Sequence, residues 1–166
     1  MSNGTILLVE DKRDDEFLLK RALTRARILN PIQVVRDGEE AMAYFQGQAD
    51  YANRLLFPIP IFMMLDLITP RISGFEVLEW LKDHPQFKSL PVVVLSGVAE
   101  VSSMKRAYCL GAQTYLVKPL RVEELIALFS SLTGFRVVSA NAGCYIEVNP
   151  TLPVGQFDDQ PRFALC

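Results

Sequence analysis

Four short apolar segments of the chain each end in a polar or charged residue. The segments span residues 6–9, 61–65, 92–95 and 115–117, and they are followed by Glu10 with Asp11, by Asp66, by Ser96 and by Lys118. In an open parallel α/β sheet, the carboxyl ends of the strands lie along one edge, and such sheets bind and react there. The pattern therefore predicts that these polar side chains meet at one edge of a sheet.

The predicted meeting point is strongly acidic. It would hold the carboxylates of Glu10, Asp11 and Asp66, with the ammonium of Lys118 and the hydroxyl of Ser96 beside them. Carboxylates this close cannot all stay ionised and unpaired, which favours a bound divalent cation. Ligands that are all oxygen favour a hard ion such as Mg²⁺, which takes its remaining oxygens from water and a phosphoryl group. The chemistry that this suggests is phosphoryl transfer onto Asp66.

Strand and helix patterns alternate before the last part of the chain. The sequence predicts helices over residues 14–27, 39–46, 74–82, 100–110 and 122–132, and further strands over residues 32–35 and 114–117. Gly111 is the predicted C-terminal cap of the fourth helix. Five βα units in succession predict a doubly wound α/β fold, (βα)5, with a parallel sheet and helices on both of its faces.

The order of these motifs resembles the receiver domain of response regulators, the phospho-accepting half of two-component signalling. The resemblance runs from about Thr5 to Leu132, and it is carried by Val9-Glu10-Asp11, Leu65-Asp66-Leu67, Pro70, Gly74, Ser96-Gly97, Gly111-Ala112 and Val117-Lys118-Pro119. Each motif is weak alone, but together and in this order they are specific. The resemblance implies the flavodoxin-like strand order 2-1-3-4-5.

The start of the chain narrows the resemblance further. Ile-Leu-Leu-Val-Glu-Asp followed by Asp14-Asp15, with a long stretch before Asp66, resembles CheY-like single-domain regulators that partner phytochrome-type histidine kinases. This implies a stand-alone response regulator in red-light signalling, whose partner is a sensor histidine kinase of the bacteriophytochrome type. The sequence leaves open whether the chain is a terminal regulator that binds a target protein, a phosphorelay intermediate, or a phosphate sink that drains its kinase.

The resemblance assigns a role to each acidic position. It implies that Asp66 is the phosphoacceptor, that Asp11 binds Mg²⁺ directly, and that Glu10 binds it through water or supports its ligands. The backbone carbonyl of Ile68 is the remaining implied metal ligand. The family often has polar residues at positions 68 and 98, where this chain has Ile68 and Val98.

The resemblance also implies how the signal is passed on. Lys118 and Ser96 hold oxygens of the phosphoryl group, and the Lys118–Pro119 peptide bond is expected to be cis. Tyr115 stands at the family's aromatic switch position and is expected to turn inward when Ser96 moves to the new oxygen. The surface formed by the fourth helix, fifth strand and fifth helix then changes. Because the output is a binding event, the chain is predicted not to be an enzyme.

Two other classes of protein share part of the pattern. Aspartyl-phosphate hydrolases also use a strand-end aspartate with Mg²⁺, but they need a second acid two residues further on, where this chain has Ile68. A flavin-binding domain would have a phosphate loop rich in Ser, Thr and Gly, whereas residues 10–15 are all charged and four of the six are acidic. Both classes are therefore weaker interpretations than the receiver domain.

Charge and hydropathy exclude several kinds of partner. The 17 basic and 19 acidic residues give a net charge of −2, which provides no electrostatic footprint for nucleic acid. The longest apolar stretch, residues 55–65, contains two prolines and is too short to span a bilayer. The N-terminus has neither a basic start nor an apolar signal core. We therefore expect a cytoplasmic protein that binds neither nucleic acid nor membrane.

The pattern changes after Thr133. Residues 1–133 are predicted to be the receiver domain, and residues 134–166 a C-terminal extension that is too short for an output domain. Two strands, 135–139 and 144–148, are predicted around a turn signal. Because the extension is rich in apolar residues and a receiver core has little unfilled space, we expect an arm that docks on a second copy in a two-fold homodimer. The rival arrangement is an arm folded back on its own receiver.

Overall fold

Strands and helices alternate along the chain, which continues into a β-hairpin. The computed structural model describes residues 4–132 and 134–149. The strands are β1 (Ile6–Val9), β2 (Ile32–Val35), β3 (Phe62–Asp66), β4 (Val92–Ser96), β5 (Thr114–Val117), β6 (Phe135–Ala140) and β7 (Gly143–Val148). The helices are α1 (Arg13–Arg25), α2 (Gly38–Gln46), α3 (Gly74–Lys82), α4 (Val101–Cys109) and α5 (Val122–Ser131), with short 3-10 helices at Ala49–Ala52 and Pro85–Phe87. Within these described ranges, no helix combines the length and the hydropathy that crossing a bilayer requires.

The first five strands form one parallel sheet in the order β2-β1-β3-β4-β5. This confirms the predicted fold class and strand order. Asp66, the last residue of the central strand β3, pairs in register with Leu95 of β4. Ser96, the last residue of β4, pairs with Val117, which directly precedes Lys118. The register therefore brings these polar positions to the same edge, as the sequence predicts.

Helices cover both faces of the sheet and create two hydrophobic cores. Successive side chains of a strand point to opposite faces, so β1 and β3 contribute to both cores. Leu7 and Met63 pack with residues of α2, α3 and α4, whereas Ile6 and Phe62 pack with residues of α1 and α5. The central strands β1 and β3 are buried on both faces of the sheet. The polar residues at their carboxyl ends therefore lie at the edge of the sheet and not on its faces.

A glycine brings α3 close to the end of β3. The Gly74 N–H donates to the Leu67 carbonyl at 3.0 Å. A Cβ atom at position 74 would lie 2.4 Å from the carbonyl oxygen of Asp66 and 2.7 Å from the Cα atom of Leu67. Any larger residue would therefore displace the backbone beside Asp66, which explains why glycine stands at this position.

Helix α1 ends two residues earlier than the sequence predicts, at Arg25 rather than Arg27. Arg27 has a φ of +59°, which a right-handed helix cannot contain. The carbonyl of Arg27 instead accepts a hydrogen bond from the backbone N–H of Cys144 in the hairpin, at 2.8 Å. The chain thus leaves α1 in the direction that allows it to pair with β7.

The predicted hairpin is present, and it packs on its own receiver. Strands β6 and β7 pair antiparallel from Phe135↔Val148 to Ala140↔Gly143. Ile146 of β7 is fully buried, in the same core as Phe62 and Phe129. The expectation that the extension docks on a second copy, because the receiver core has little unfilled space, is therefore wrong for the hairpin. The rest of the predicted arm, residues 150–166, lies outside the described residues.

A buried asparagine connects the hairpin to the receiver. The side-chain amide of Asn30 donates to the carbonyls of Gly4 at 2.7 Å and Ile146 at 2.9 Å. Its side-chain oxygen accepts from the Ile146 N–H at 2.8 Å. Asn30 is 5% exposed, so each of these bonds satisfies a group that water does not readily reach.

Candidate functional site

Asp66 presents a buried carboxylate at the carboxyl edge of the sheet. Its side chain is only 4% exposed. One oxygen, Oδ1, accepts a hydrogen bond from the backbone N–H of Ile68 at 2.9 Å, and the other, Oδ2, accepts one from Lys118 at 2.7 Å. The carboxylate is therefore held in one orientation by the loop that follows it and by a cation from β5's end.

Lys118 is the centre of an acidic cluster. Its ammonium lies 2.5 Å from Glu10 Oε2, 2.9 Å from Asp15 Oδ2 and 2.7 Å from Asp66 Oδ2. A lysine ammonium has three hydrogens to donate, and here each carboxylate receives one. The cluster thus joins the ends of β1, β3 and β5 to the first turn of α1.

For both Glu10 and Lys118, burial and hydrogen bonding shift the pKa in opposite directions. Burial raises the pKa of the Glu10 carboxyl above its usual value, and the hydrogen bond from Lys118 offsets part of that rise. For Lys118, burial acts to lower the pKa, but the hydrogen bonds to Asp66, Glu10 and Asp15 outweigh it and raise the pKa. Lys118 therefore remains an ammonium at neutral pH and balances part of the negative charge.

The structure adds one acidic residue to the site that the sequence reasoning missed. Oxygens of Glu10, Asp15 and Asp66 all lie within 4.8 Å of one another. From the sequence, Asp15 contributes only to the Asp14-Asp15 motif of the resemblance, although it also lies in the acidic first turn of α1. The feature that could have identified Asp15 as a site residue is its position in the first turn of α1, because that turn directly follows the loop that carries Glu10 and Asp11.

Asp11, which the resemblance names as a direct metal ligand, lies outside that close group of oxygens. Its Oδ1 atom is buried and has no hydrogen-bond partner among the described residues. A buried carboxylate oxygen without a partner is costly, and a cation would remove the cost. The orphaned oxygen and the all-oxygen donor set therefore both fit a hard divalent metal ion.

Ser96 and Tyr115 meet at the loop that follows β4. The buried Ser96 hydroxyl accepts a hydrogen bond from the Val98 N–H at 3.2 Å, and the Tyr115 hydroxyl donates to the Val98 carbonyl at 2.8 Å. Tyr115 is itself buried in this structure, and its role as a switch residue stays a prediction. The backbone of Val98 thus connects the Ser96 hydroxyl, which is predicted to bind the phosphoryl group, to Tyr115, the predicted switch residue.

Two further expectations concern the backbone. The Lys118–Pro119 peptide bond is cis, as expected, and the Lys118 N–H donates to the Ser96 carbonyl at 2.8 Å. The Ile68 N–H binds Asp66, while the role of the Ile68 carbonyl as a metal ligand stays a prediction. Ile68 itself is 63% exposed, two residues beyond Asp66.

The fold and this cluster define a class of protein. A five-stranded parallel sheet of this order, with a buried aspartate, an acidic pair and a lysine at its carboxyl edge, is the arrangement of a receiver domain. Residues 6–130 match the family described as response regulator receiver domain. The chain belongs to that family.

One relative that matches the chain over most of its own length is a response regulator of a cyanobacterium. Response regulator Rcp1 of Synechocystis sp. is 35% identical over 130 residues, which cover 78% of this chain and 86% of Rcp1. A structure of Rcp1 in its Mn²⁺-bound form has a TM-score of 0.65 and 35% identity, covering 75% of this chain and 88% of that one.

Two other solved structures are named for phytochromes. The bacteriophytochrome response regulator RtBRR is 35% identical with a TM-score of 0.75, covering 84% of this chain and 83% of its own. The phosphorylated cyanobacterial phytochrome response regulator RcpA is 35% identical with a TM-score of 0.66, covering 76% of this chain and 88% of its own. The chain is therefore similar to phytochrome-associated regulators, as its opening residues indicate.

Proposed function

We propose that Asp66 accepts a phosphoryl group from a phosphohistidine of a sensor kinase, and that the phosphorylated chain signals by binding another protein. The observation that carries this proposal is the buried Asp66 carboxylate, held at the sheet edge by Lys118 at 2.7 Å. A carboxylate oxygen of Asp66 forms the bond to phosphorus while the phosphorus–nitrogen bond of the phosphohistidine breaks. The similarity to RcpA, whose structure is that of a phosphorylated protein, supports the same chemistry.

The metal in this proposal is Mg²⁺. Glu10, Asp11 and Asp66 would hold it, with the Ile68 carbonyl as a further ligand and Asp15 as an additional carboxylate within reach. When bound, the cation offsets the negative charge that gathers as a phosphoryl group approaches an acidic pocket. The Mn²⁺-bound structure of the similar protein Rcp1 supports a divalent ion at this kind of site.

The remaining residues of the site bind and transmit. Lys118 would exchange its bond to Asp66 for a phosphoryl oxygen, and the Ser96 hydroxyl would bind a second one. Because Ser96 and Tyr115 both bond to Val98, a movement of Ser96 is passed to the loop before α4. The proposed output is a changed surface around α4, β5 and α5, and no second reaction follows.

We further propose that the kinase is of the bacteriophytochrome type and that both proteins are cytoplasmic. The support is the similarity to RtBRR and RcpA, which are named as phytochrome response regulators. A purified phytochrome kinase, loaded with phosphate on its histidine, should transfer that phosphate to this chain. Transfer at equal rates from an unrelated histidine kinase would argue against the phytochrome assignment.

Labelling with a small phosphodonor tests the proposed function directly. Acetyl phosphate with Mg²⁺ should phosphorylate the full chain, and mass spectrometry of its peptides should place the phosphate on Asp66. Chelation of the metal before addition of the donor should prevent labelling, because the approaching phosphoryl charge is then not offset. Phosphate found on another residue, or none at all with the folded protein, would contradict the proposal.

The aspartyl phosphate is expected to be long-lived. The Ile68 and Val98 side chains are 63% and 39% exposed beside the site, and neither can orient a water molecule for attack on phosphorus. Because positioning a reactant is worth several kcal/mol, Ile68→Asn should speed the loss of phosphate by about an order of magnitude. The decay of labelled protein after removal of donor measures this. Ile126→Asn, at a half-exposed position on α5, is the control, and equal decay in both variants would refute the explanation.

We also propose that residues beyond the hairpin form the contact of a homodimer. The hairpin packs on its own receiver, so the proposed dimer contact is limited to residues 150–166 of the extension. These include the apolar residues Leu152, Phe157 and Phe163. Light scattering should show a dimer for the full chain and a monomer for a chain that ends at Asn149. This cut leaves the packed hairpin intact, unlike a cut at Thr133. A monomeric full chain, or a dimeric shortened one, would show that these residues do not hold a dimer together.

A further inference from the structure

The loop that follows Asp66, residues 67–73, is tied to the start of α2 by an arginine. Arg71 Nε donates to Oδ2 of Asp37 at 2.8 Å, and Nη2 contacts the same oxygen. Nη1 lies 3.1 Å from Glu39 Oε2. The guanidinium thus joins two acidic residues of one helix start to a loop more than thirty positions further along the chain.

Asp37 is an unusual partner because it is almost completely buried. It is 2% exposed, and its Oδ1 accepts a hydrogen bond from the Glu40 N–H at 2.9 Å, which caps α2. A buried carboxylate requires a cation or several hydrogen bonds. Within the part of the chain that the structure describes, Arg71 is the one side chain that forms a salt bridge with it.

The backbone of the loop is held in an unfavourable shape at this point. Arg71 has a φ of +61°, a region that non-glycine residues occupy only when their surroundings impose it, often at functional sites. The next residue, Ile72, accepts hydrogen bonds at its carbonyl from the Gly38 N–H at 3.1 Å and from the Thr69 hydroxyl at 2.8 Å. Side chain and backbone therefore fasten the loop to α2 at two adjacent residues.

The other end of the same loop reaches the reactive carboxylate. The Ile68 N–H binds Asp66 Oδ1 at 2.9 Å, and the Leu67 carbonyl accepts from the Gly74 N–H at 3.0 Å. Both ends of the seven-residue loop are fixed, so the position of the Ile68 peptide depends on where the Arg71 end is held. That peptide supplies a hydrogen bond to Asp66 through its N–H.

We propose that Arg71 and Asp37 are positioning residues for the phosphoacceptor site, which hold the loop so that the Ile68 backbone supports both Asp66 and the divalent ion. This rests on the proposed function of Asp66. Neither side chain touches the phosphoryl group. They act through the loop backbone, as partners of metal ligands commonly do, and loss of such a partner typically lowers metal affinity or activity by about 10- to 100-fold.

Two substitutions remove the ion pair with little other disturbance. Arg71→Gly deletes the guanidinium and suits the positive φ, and Asp37→Asn removes the charge but keeps an N-cap oxygen. Both should weaken Mn²⁺ binding, measured by electron paramagnetic resonance, and slow labelling by acetyl phosphate about tenfold. Arg71→Lys should lose less, since it keeps the charge. The control is Arg106→Ala, because Arg106 is as exposed as Arg71 and pairs with Glu79 on the surface.

Stability measurements separate positioning from a merely structural role. Chemical unfolding of each variant gives its free energy of unfolding, and the Mn²⁺ affinity and labelling rate refer to protein that is folded. Variants that lose stability but keep wild-type Mn²⁺ affinity and labelling rate would overturn the proposal. If the wild-type chain itself takes no phosphate, the proposed function fails. The Mn²⁺ affinities of the variants then decide alone whether the ion pair positions the site.

Discussion

Replacing Asp66 with asparagine is expected to abolish the incorporation of phosphate from acetyl phosphate. Asparagine has nearly the same shape but no anionic oxygen to attack phosphorus. The neighbouring carboxylates of Glu10 and Asp11 should not take over, because the proposed function commits both of them to binding the metal ion. Removal of one of the clustered negative charges also relieves repulsion, so the variant should fold. Intact-protein mass spectrometry measures the phosphate gained.

Asp15→Asn is the matched control for this experiment. It also removes a carboxylate that pairs with Lys118, at 2.9 Å in place of the 2.7 Å for Asp66. The control should still incorporate phosphate, at a reduced rate, because its nucleophile is intact. Undiminished labelling of Asp66→Asn would show that another residue is the phosphoacceptor.

The positions that the sequence could predict are those that end a strand. Asp66, Ser96 and Lys118 each follow an apolar segment, and the carboxyl ends of parallel strands must lie together. No knowledge of helix packing is needed to bring them to one edge. The alternation of strand and helix patterns likewise predicted the helices of the receiver to within two residues at their ends, whereas the strand order was implied by the family resemblance.

The positions that the sequence could not predict depend on how helices sit on the sheet. Asp15 reaches Lys118 because α1 begins beside the sheet edge, and an acidic first turn is equally explained by the helix dipole. Arg71 and Asp37 are 34 positions apart, and neither belongs to a periodic pattern that would link them. Such contacts follow from tertiary packing, which a local pattern does not contain.

The packing of the hairpin on the receiver also could not be predicted from local sequence patterns. Its two strands were predicted because a turn signal separates two runs rich in β-branched and aromatic residues. Its packing on the receiver depends on Asn30, whose amide bonds to Ile146 across 116 positions, and on the positive φ of Arg27. A count of apolar residues in the extension indicated that they needed cover, but not that the receiver itself covers Ile146.

Replacing Ile146 with alanine is expected to lower the free energy of unfolding by about 2–5 kcal/mol. Ile146 is fully buried between the hairpin and the core that contains Phe62 and Phe129. The substitution removes apolar contacts and leaves a cavity that the fixed hairpin cannot fill by collapse, because Asn30 holds the Ile146 backbone. Urea unfolding followed by circular dichroism measures the loss.

Val137→Ala is the control for that prediction, since Val137 lies on β6 of the same hairpin but is 44% exposed. It should change the free energy of unfolding by no more than about 0.5 kcal/mol, as is usual for surface positions. A large loss for Ile146→Ala alone would show that the hairpin is part of the cooperative unit of the receiver. Equal small changes in both variants would show that the contact between hairpin and receiver does not stabilise the fold. The packing of Ile146 could then not explain why the hairpin binds its own receiver.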